Sequence, residues 1–262
     1  MDDLALALQL ADIADQLSLA RFRASDLVID SKPDLTPVSD ADKKIEQLIR
    51  QHLLKVSPDD GVIGEEFEKK VSTNNREWIL DPIDGTKNYI RGVPIWATLI
   101  ALRQNNQITC TVVSAPAINR RWYASKGEGA YVVENILGKE EKRKLKVSAV
   151  SKISDASFAF AEVIKKDNWE DYYDKFLKLT NDVWRSRGFG DFWGHMLVAE
   201  GAVDIAIEPK MALWDMAALY LIIKEAGGSF TNLNGADGVD GPGAISSNAL
   251  LHKELLTRFA GA

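Results

Sequence analysis

Between residues 96 and 133 the chain reads as four strands in quick succession, at 96–102, 108–113, 121–124 and 130–133. Apolar and β-branched runs of this length, broken by Asn, Gly and Pro, are strand signals. Helical patterns flank them. Residues 4–23 carry Leu6, Leu10, Ile13, Leu17 and Ala20 at spacings of three and four, and Ser39 opens a second helix with Ile45, Leu48, Ile49 and Leu53 as its stripe. The second half mixes short strands (158–163, 203–207, near 229–230 and 244–245) with helices at 169–179, 191–200, 215–226 and 249–259. A Gly227-Gly228 pair ends the third of these. The order lacks regular βαβ alternation, so a plain Rossmann sheet is not indicated and a mixed α/β (α+β) fold is expected. Residues 138–146 are densely charged with both signs and read as an exposed hairpin arm.

Composition narrows the chemistry. One cysteine, Cys110, and three scattered histidines, His52, His195 and His252, leave no disulfide and no basis for a structural zinc site. Cys110 lies in an apolar strand and reads as an inert buried thiol. The charge of -6, from 38 acids against 32 bases, argues against a nucleic-acid partner. Met1-Asp2-Asp3 is acidic where a secretory signal is basic. The longest apolar run, 95–102, is too short to span a membrane. A cytoplasmic protein without a membrane partner is the expectation.

The densest local chemistry is Asp81-Pro82-Ile83-Asp84-Gly85-Thr86, at the end of the apolar strand Trp78-Ile79-Leu80. Pro82 stiffens the loop and frees carbonyls to point outward. Asp81, the Ile83 carbonyl and Asp84 can then face one side as hard oxygen ligands, which suit Mg²⁺ beside a phosphate. Gly85 and Thr86 follow at a helix start, where amide N–H groups attract an anion. The same residues also suit an Asp-Pro turn with an Asp cap. Glu65-Glu66 after Gly64 fits either a sheet-edge ligand or a solvated pair, and Asp215 after Trp214 either a ligand or a helix cap.

Taken together, in order and at these spacings, the segments resemble the inositol monophosphatase superfamily of metal-dependent, lithium-sensitive phosphatases. The resemblance rests on Gly64-Glu65-Glu66, on residues 78–89 from Trp78 to Tyr89, on Trp214-Asp215-Met216-Ala217-Ala218, and on Glu225-Ala226-Gly227-Gly228. The segment 36–42, Thr36 to Asp42, fits the family's early motif, with Ser39 where threonine is commoner. It implies a layered αβαβα fold with two β-sheets, usually a homodimer. It implies two or three Mg²⁺ ions held by Glu65, Asp81, the Ile83 carbonyl, Asp84 and Asp215. Catalysis would be direct attack by a metal-activated water, positioned and deprotonated by Glu65 and by Thr86, with Thr86 oriented by Asp40. Asp84, Gly85, Thr86 and Lys87 would bind the phosphate end of a small monoester. An N-terminal part, 1–148, would carry Glu65 and the 81–86 loop, and a C-terminal part, 149–262, Asp215 and the substrate pocket.

Residues 186–209 resemble most the histidinol-phosphate phosphatase branch found in actinobacteria. That ester carries an ammonium and an imidazole, whereas inositol offers only hydroxyls. Asp191 and Glu208 are acids that could hold the ammonium, and Phe189, Phe192 and Trp193 could face the imidazole. Each has a plainer reading: Asp191 as a helix cap, Phe192 and Trp193 as packing, Glu208 as a surface acid. Arg187 suits a substrate contact or an internal ion pair equally, and Lys87 an exposed helix position. His195 reads as a core or interface histidine. Inositol-1-phosphate or another sugar phosphate is the alternative substrate. An aspartyl-phosphate mechanism would want Asp-x-Asp, not Asp-x-x-Asp, and a binding protein without turnover would be expected to lack part of the set.

Overall fold

The structure is a computed structural model that describes residues 2–32, 36–163 and 169–259. Helix α1 (Asp3–Arg21), the small hairpin β1 (Ile29–Ser31) and β2 (Pro37–Ser39), and α2 (Asp40–Val56) come first. A seven-stranded sheet follows in the order β3-β4-β5-β6-β7-β8-β9. Its members are β3 (Gly61–Gly64), β4 (Arg76–Asp84), β5 (Ala97–Gln104), β6 (Gln107–Ala115), β7 (Arg120–Ser125), β8 (Gly129–Ile136) and β9 (Lys139–Lys144), with the short α3 (Thr86–Ile90) after β4. The charged arm is the edge strand β9, exposed at every residue. Charged residues there guard an open sheet edge against pairing with other chains.

The second half supplies β10 (Ser157–Phe160), α4 (Tyr173–Asp182), β11 (Arg185–Gly188), α5 (Asp191–Ala199), β12 (Ile205–Glu208), α6 (Leu213–Glu225), β13 (Gly228–Thr231), β14 (Ala244–Asn248) and α7 (His252–Phe259). Its sheet runs β11-β10-β12-β14-β13. Period-two alternation decides the layering. On β4 and β5, Trp78, Leu80, Ile100 and Leu102 face α1 and α2, while Ile79, Leu99 and Ala101 face α5 and α6. Helices α5 and α6 therefore lie between the two sheets, and α4 and α7 cover the far side through Phe176, Leu179, Leu255 and Phe259. The layers are αβαβα, as expected. No described helix is long and apolar enough to cross a membrane.

Three local expectations shift. The strand expected at 158–163 stops at Phe160. Residues 164–168 lie outside the described residues, and the following helix starts at Tyr173 after a 3₁₀ turn. Trp169 is fully buried, and its indole N–H donates to the Glu162 carbonyl, which ties this corner down. On α1 the buried face is Leu6, Ala7, Leu10, Ala11, Ala14 and Ser18, leaving Ala20 exposed. The small residues let this helix lie close against β5 and β6.

Candidate active site

Strand register brings the first acids together. β3 and β4 are parallel, with Gly64 opposite Leu80, so Glu65 and Asp81 leave the same end of the sheet side by side. Asp81 and Asp84, three apart, would face opposite sides of a regular strand. A bulge prevents this: β4 advances three residues, from Asp81 to Asp84, while β5 retreats two, from Leu99 to Ala97. The extra residue restores a common side. The Thr98 hydroxyl donates to the Pro82 carbonyl at 2.8 Å and holds the bulge.

Asp215 enters from the third residue of α6, where its Oδ2 accepts the Ala212 N–H at 2.7 Å. Carboxylate oxygens of Asp81, Asp84 and Asp215 lie within 4.8 Å of one another. Burial pushes the Asp81 and Asp84 carboxyls well above the usual range; Glu65 adds to this at Asp81, and Asp191 at Asp84. Asp215 is pushed up to about 7, by burial first. Such a set is unfavourable as bare anions. It fits a hard divalent cation, which prefers carboxylate oxygens and tolerates water in its remaining positions.

Glu65 lines the same cleft. Lys32 Nζ lies 2.6 Å from Oε1 of both Glu65 and Glu66, a tethered cation the sequence reading had not singled out. The turn beneath is fixed by Glu46, fully buried on α2, whose Oε2 accepts the Glu66 N–H at 2.8 Å. Gly64 is required there, because a Cβ would fall 2.1 Å from Glu46 Oε1.

Gly85 adopts φ +80° and caps α3, and Thr86 begins it. The first amides of a helix have no intrahelical acceptor and remain available to an anion. The Thr86 hydroxyl lies 2.9 Å from the Ile83 carbonyl and 3.4 Å from Asp42 Oδ1. This corrects the expectation for Asp40. Asp40, first in α2, turns outward, and its Oδ2 accepts from Arg21 at 2.9 Å. Two positions along a helix is a rotation of roughly 200°, so only Asp42 faces the loop. Asp42 Oδ2 also accepts the Ser39 N–H and hydroxyl, at 2.9 and 2.5 Å. The acid three residues after the Ser39 cap was the signal that could have found it.

The second sheet supplies the opposite wall. β10, β11 and β12 are parallel, so residues 188–191 and Glu208 emerge at one end. The cleft between the two sheet ends encloses about 1260 Å³. Asp191 is the first residue of α5 rather than its cap, at φ +53°, a left-handed conformation costly for a residue with a Cβ. Asn88 Nδ2 donates to its Oδ2 at 3.4 Å. Burial, then Glu208, pushes the Asp191 carboxyl up to about 7. The side chain of Glu208 is only 12% exposed, so it is not the surface acid of the plainer reading. Trp193 lines the cleft with Phe189, ring centroids 5.3 Å apart, while Phe192 is core, edge-on to Trp122. The Phe192 N–H donates to Asp84 Oδ2 at 2.7 Å and links the two walls.

Of the two expected cationic contacts, Lys87 lines the cleft and Arg187 does not. Lys87 sits at the mouth, paired with Glu162 at 2.6 Å. Arg187 is exposed on an edge strand, donates to the Ser186 carbonyl, and does not line the cleft. Cys110 is buried, its thiol pushed up to about 12 by desolvation, as expected of an inert residue.

The family model for the inositol monophosphatase family matches residues 2–261. The chain belongs to this family. Inositol monophosphatase-family enzymes are metal-dependent phosphatases, in keeping with the acid cluster. The chain is 50% identical over 260 residues to a histidinol-phosphatase of Mycobacterium tuberculosis, covering 98% of each chain. It is 50% identical over 262 residues to a histidinol-phosphatase of Streptomyces coelicolor, covering 98% and 96%. Among solved structures it resembles the extragenic suppressor protein suhB of Bartonella henselae, with a TM-score of 0.87, 27% identity and 98% coverage of both chains.

Proposed function

We propose that this inositol monophosphatase-family protein hydrolyses L-histidinol phosphate to L-histidinol and phosphate, a step of histidine biosynthesis. The observation that carries the reading is the second pair of acids in the cleft. Asp191 and Glu208 line the same cleft as Asp81, Asp84 and Asp215 and come from the second sheet's end of it. A phosphate at the three-acid end leaves the other end of a short ester against two carboxylates. A neutral polyol gives two buried acids no charge to meet, whereas an ammonium forms charge-assisted hydrogen bonds with them. Phe189 and Trp193 offer the imidazole an aromatic face. The two histidinol-phosphatases named above support the same choice.

Magnesium is the ion we assign, held by Glu65, Asp81, the Ile83 carbonyl, Asp84 and Asp215. Bound there, it would neutralise phosphate charge and activate water for in-line displacement. The chain's own groups do the positioning. Gly85 and Thr86 amides hold phosphate oxygens. The Thr86 hydroxyl, set between Asp42 and the Ile83 carbonyl, orients the attacking water, and Glu65 accepts its proton. Lithium inhibition, a homodimer and a cytoplasmic setting belong to the same proposal and rest on the family resemblance.

Phosphate release from histidinol phosphate and from inositol 1-phosphate, each with saturating Mg²⁺, tests the substrate. We expect kcat/KM at least about a hundredfold higher for histidinol phosphate, the range one buried charge pair can discriminate. Equal values would overturn the assignment.

A further inference from the structure

We propose that His195, locked by Ser246, is a positioning residue that aims Glu208 at the substrate's ammonium; this rests on the reading of Glu208 given above. His195 is fully buried on α5. Its Nδ1 lies 2.7 Å from Ser246 Oγ on β14, itself fully buried. Its Nε2 lies 3.4 Å from Glu208 Oε1 at the end of β12. The sheet sets this line up. Ser246 pairs with Ala206, and Glu208 stands two residues beyond Ala206, so both side chains rise from the face that α5 covers. One histidine on α5 spans the gap between them.

Hydrogen-bond logic gives the direction this role requires. In a neutral imidazole one nitrogen donates and the other accepts. A carboxylate oxygen only accepts, so a bond from Nε2 to ionised Glu208 requires the proton on Nε2. Nδ1 then accepts, and the Ser246 hydroxyl donates to it. Each residue in the line thus has one role, and the serine selects the tautomer. Nε2 has no hydrogen bond among the described residues, although it is buried. Buried donors are rarely left so, and the Glu208 oxygen is the acceptor within reach. Packing does not account for the pair. The ring sits 6.0 Å from Phe230, where an apolar side chain would serve. In the proposed role Nε2 closes this 3.4 Å approach to Oε1 and turns Oε2 toward the ammonium.

The experiment compares histidinol phosphate with β-glycerophosphate, a monoester without an amine, for His195→Phe, His195→Gln, Ser246→Ala and Glu208→Gln. For His195→Phe we expect KM for histidinol phosphate to rise about tenfold with kcat within about twofold, so that the ratio of kcat/KM between the two esters falls. His195→Gln, whose amide can still donate, should recover most of that ratio. Ser246→Ala, which frees the tautomer, should lose about threefold of it. An unchanged ratio in both His195→Phe and Ser246→Ala, with Glu208→Gln still raising KM, overturns the positioning role and leaves the amine reading standing. An unchanged KM in Glu208→Gln overturns the amine reading, and the proposal with it. Should His195→Phe fail to fold, the glutamine and serine variants decide the matter alone. Equal losses on both esters without rescue by glutamine would make His195 a packing residue and end the proposal.

Discussion

Asp42 Oδ1 lies 3.4 Å from the Thr86 hydroxyl, while Asp40, two residues earlier, is held away from the cleft by Arg21. The contact joins the start of α2 to the start of α3, and it places an acceptor where the role proposed for Thr86 requires one. Asp42→Asn should lower kcat on histidinol phosphate about a hundredfold, within the usual range for a misplaced proton acceptor. Asp40→Asn removes a half-exposed ion pair and should cost at most about 1 kcal/mol of stability, with kcat within about twofold. Steady-state kinetics of the two variants settle the assignment; a reversed order of effects would return the role to Asp40.

Much of this is legible in the amino-acid sequence. Asp81, Asp84 and Asp215 sit in segments whose residue types and order are diagnostic, and alternating apolar strands announce the larger sheet. What stayed hidden depends on geometry that residue types do not encode. A one-residue bulge decides that Asp81 and Asp84 share a side. A helix rotation decides between Asp40 and Asp42. The pairing of Ser246 with Ala206 puts His195 beside Glu208, 13 positions along the chain. Arg187 read as a candidate because its neighbours in sequence are pocket residues, but an edge strand turns alternate side chains to opposite faces. Lys32 and Glu162 gave no signal at all, since each meets its partner only through tertiary contact.

The contribution of Asp191 and Asp215 to the stability of the metal-free protein should fall as pH rises through the acidic range. Asp191 and Asp215 stand at about 7 in the fold against ~3.9 in an unfolded chain. Between those values the folded state binds more protons than the unfolded one, so raising pH favours unfolding. Above about 7 the whole penalty is present, and a divalent cation can relieve the Asp215 share of it. Thermal melts in EDTA and in 10 mM Mg²⁺ should therefore separate by about twice as many degrees at pH 8 as at pH 5.5, where protons compete for the same oxygens. Equal separations at the two pH values would count against the cluster as the metal site.

Asp191→Asn should reveal what its strained backbone serves. The side chain loses its charge but keeps its size and tolerates the left-handed conformation, so the fold is kept. Loss of one charge-assisted bond to the ammonium should raise KM for histidinol phosphate by about 10- to 100-fold. The KM for β-glycerophosphate should move by less than about threefold. Parallel kinetics on both esters check this. A matching loss on β-glycerophosphate would instead place Asp191 with the phosphate, beside Gly85, where a Cβ would stand 3.3 Å from its Oδ2.

Asp81→Asn should separate stability from activity. The carboxyl is almost wholly buried and is surrounded by Glu65, Asp84 and Asp215. Replacing it with a neutral amide removes repulsion that only a cation otherwise relieves. The metal-free variant should therefore melt higher than the metal-free parent at pH 8, while Mg²⁺ should add little further. Its amide Oδ1 can still accept the Ile83 N–H, as the parent's does at 2.9 Å, so the bulge is retained. Hydrolysis should fall by about 10³-fold or more, because the cluster loses one of its three mutually close carboxylates. Calorimetric Mg²⁺ titration, melts and phosphate release on one preparation give all three readings. A variant that melts lower without metal and still gains the parent's full Mg²⁺ shift would show that Asp81 is a structural acid and that the cation is held without it.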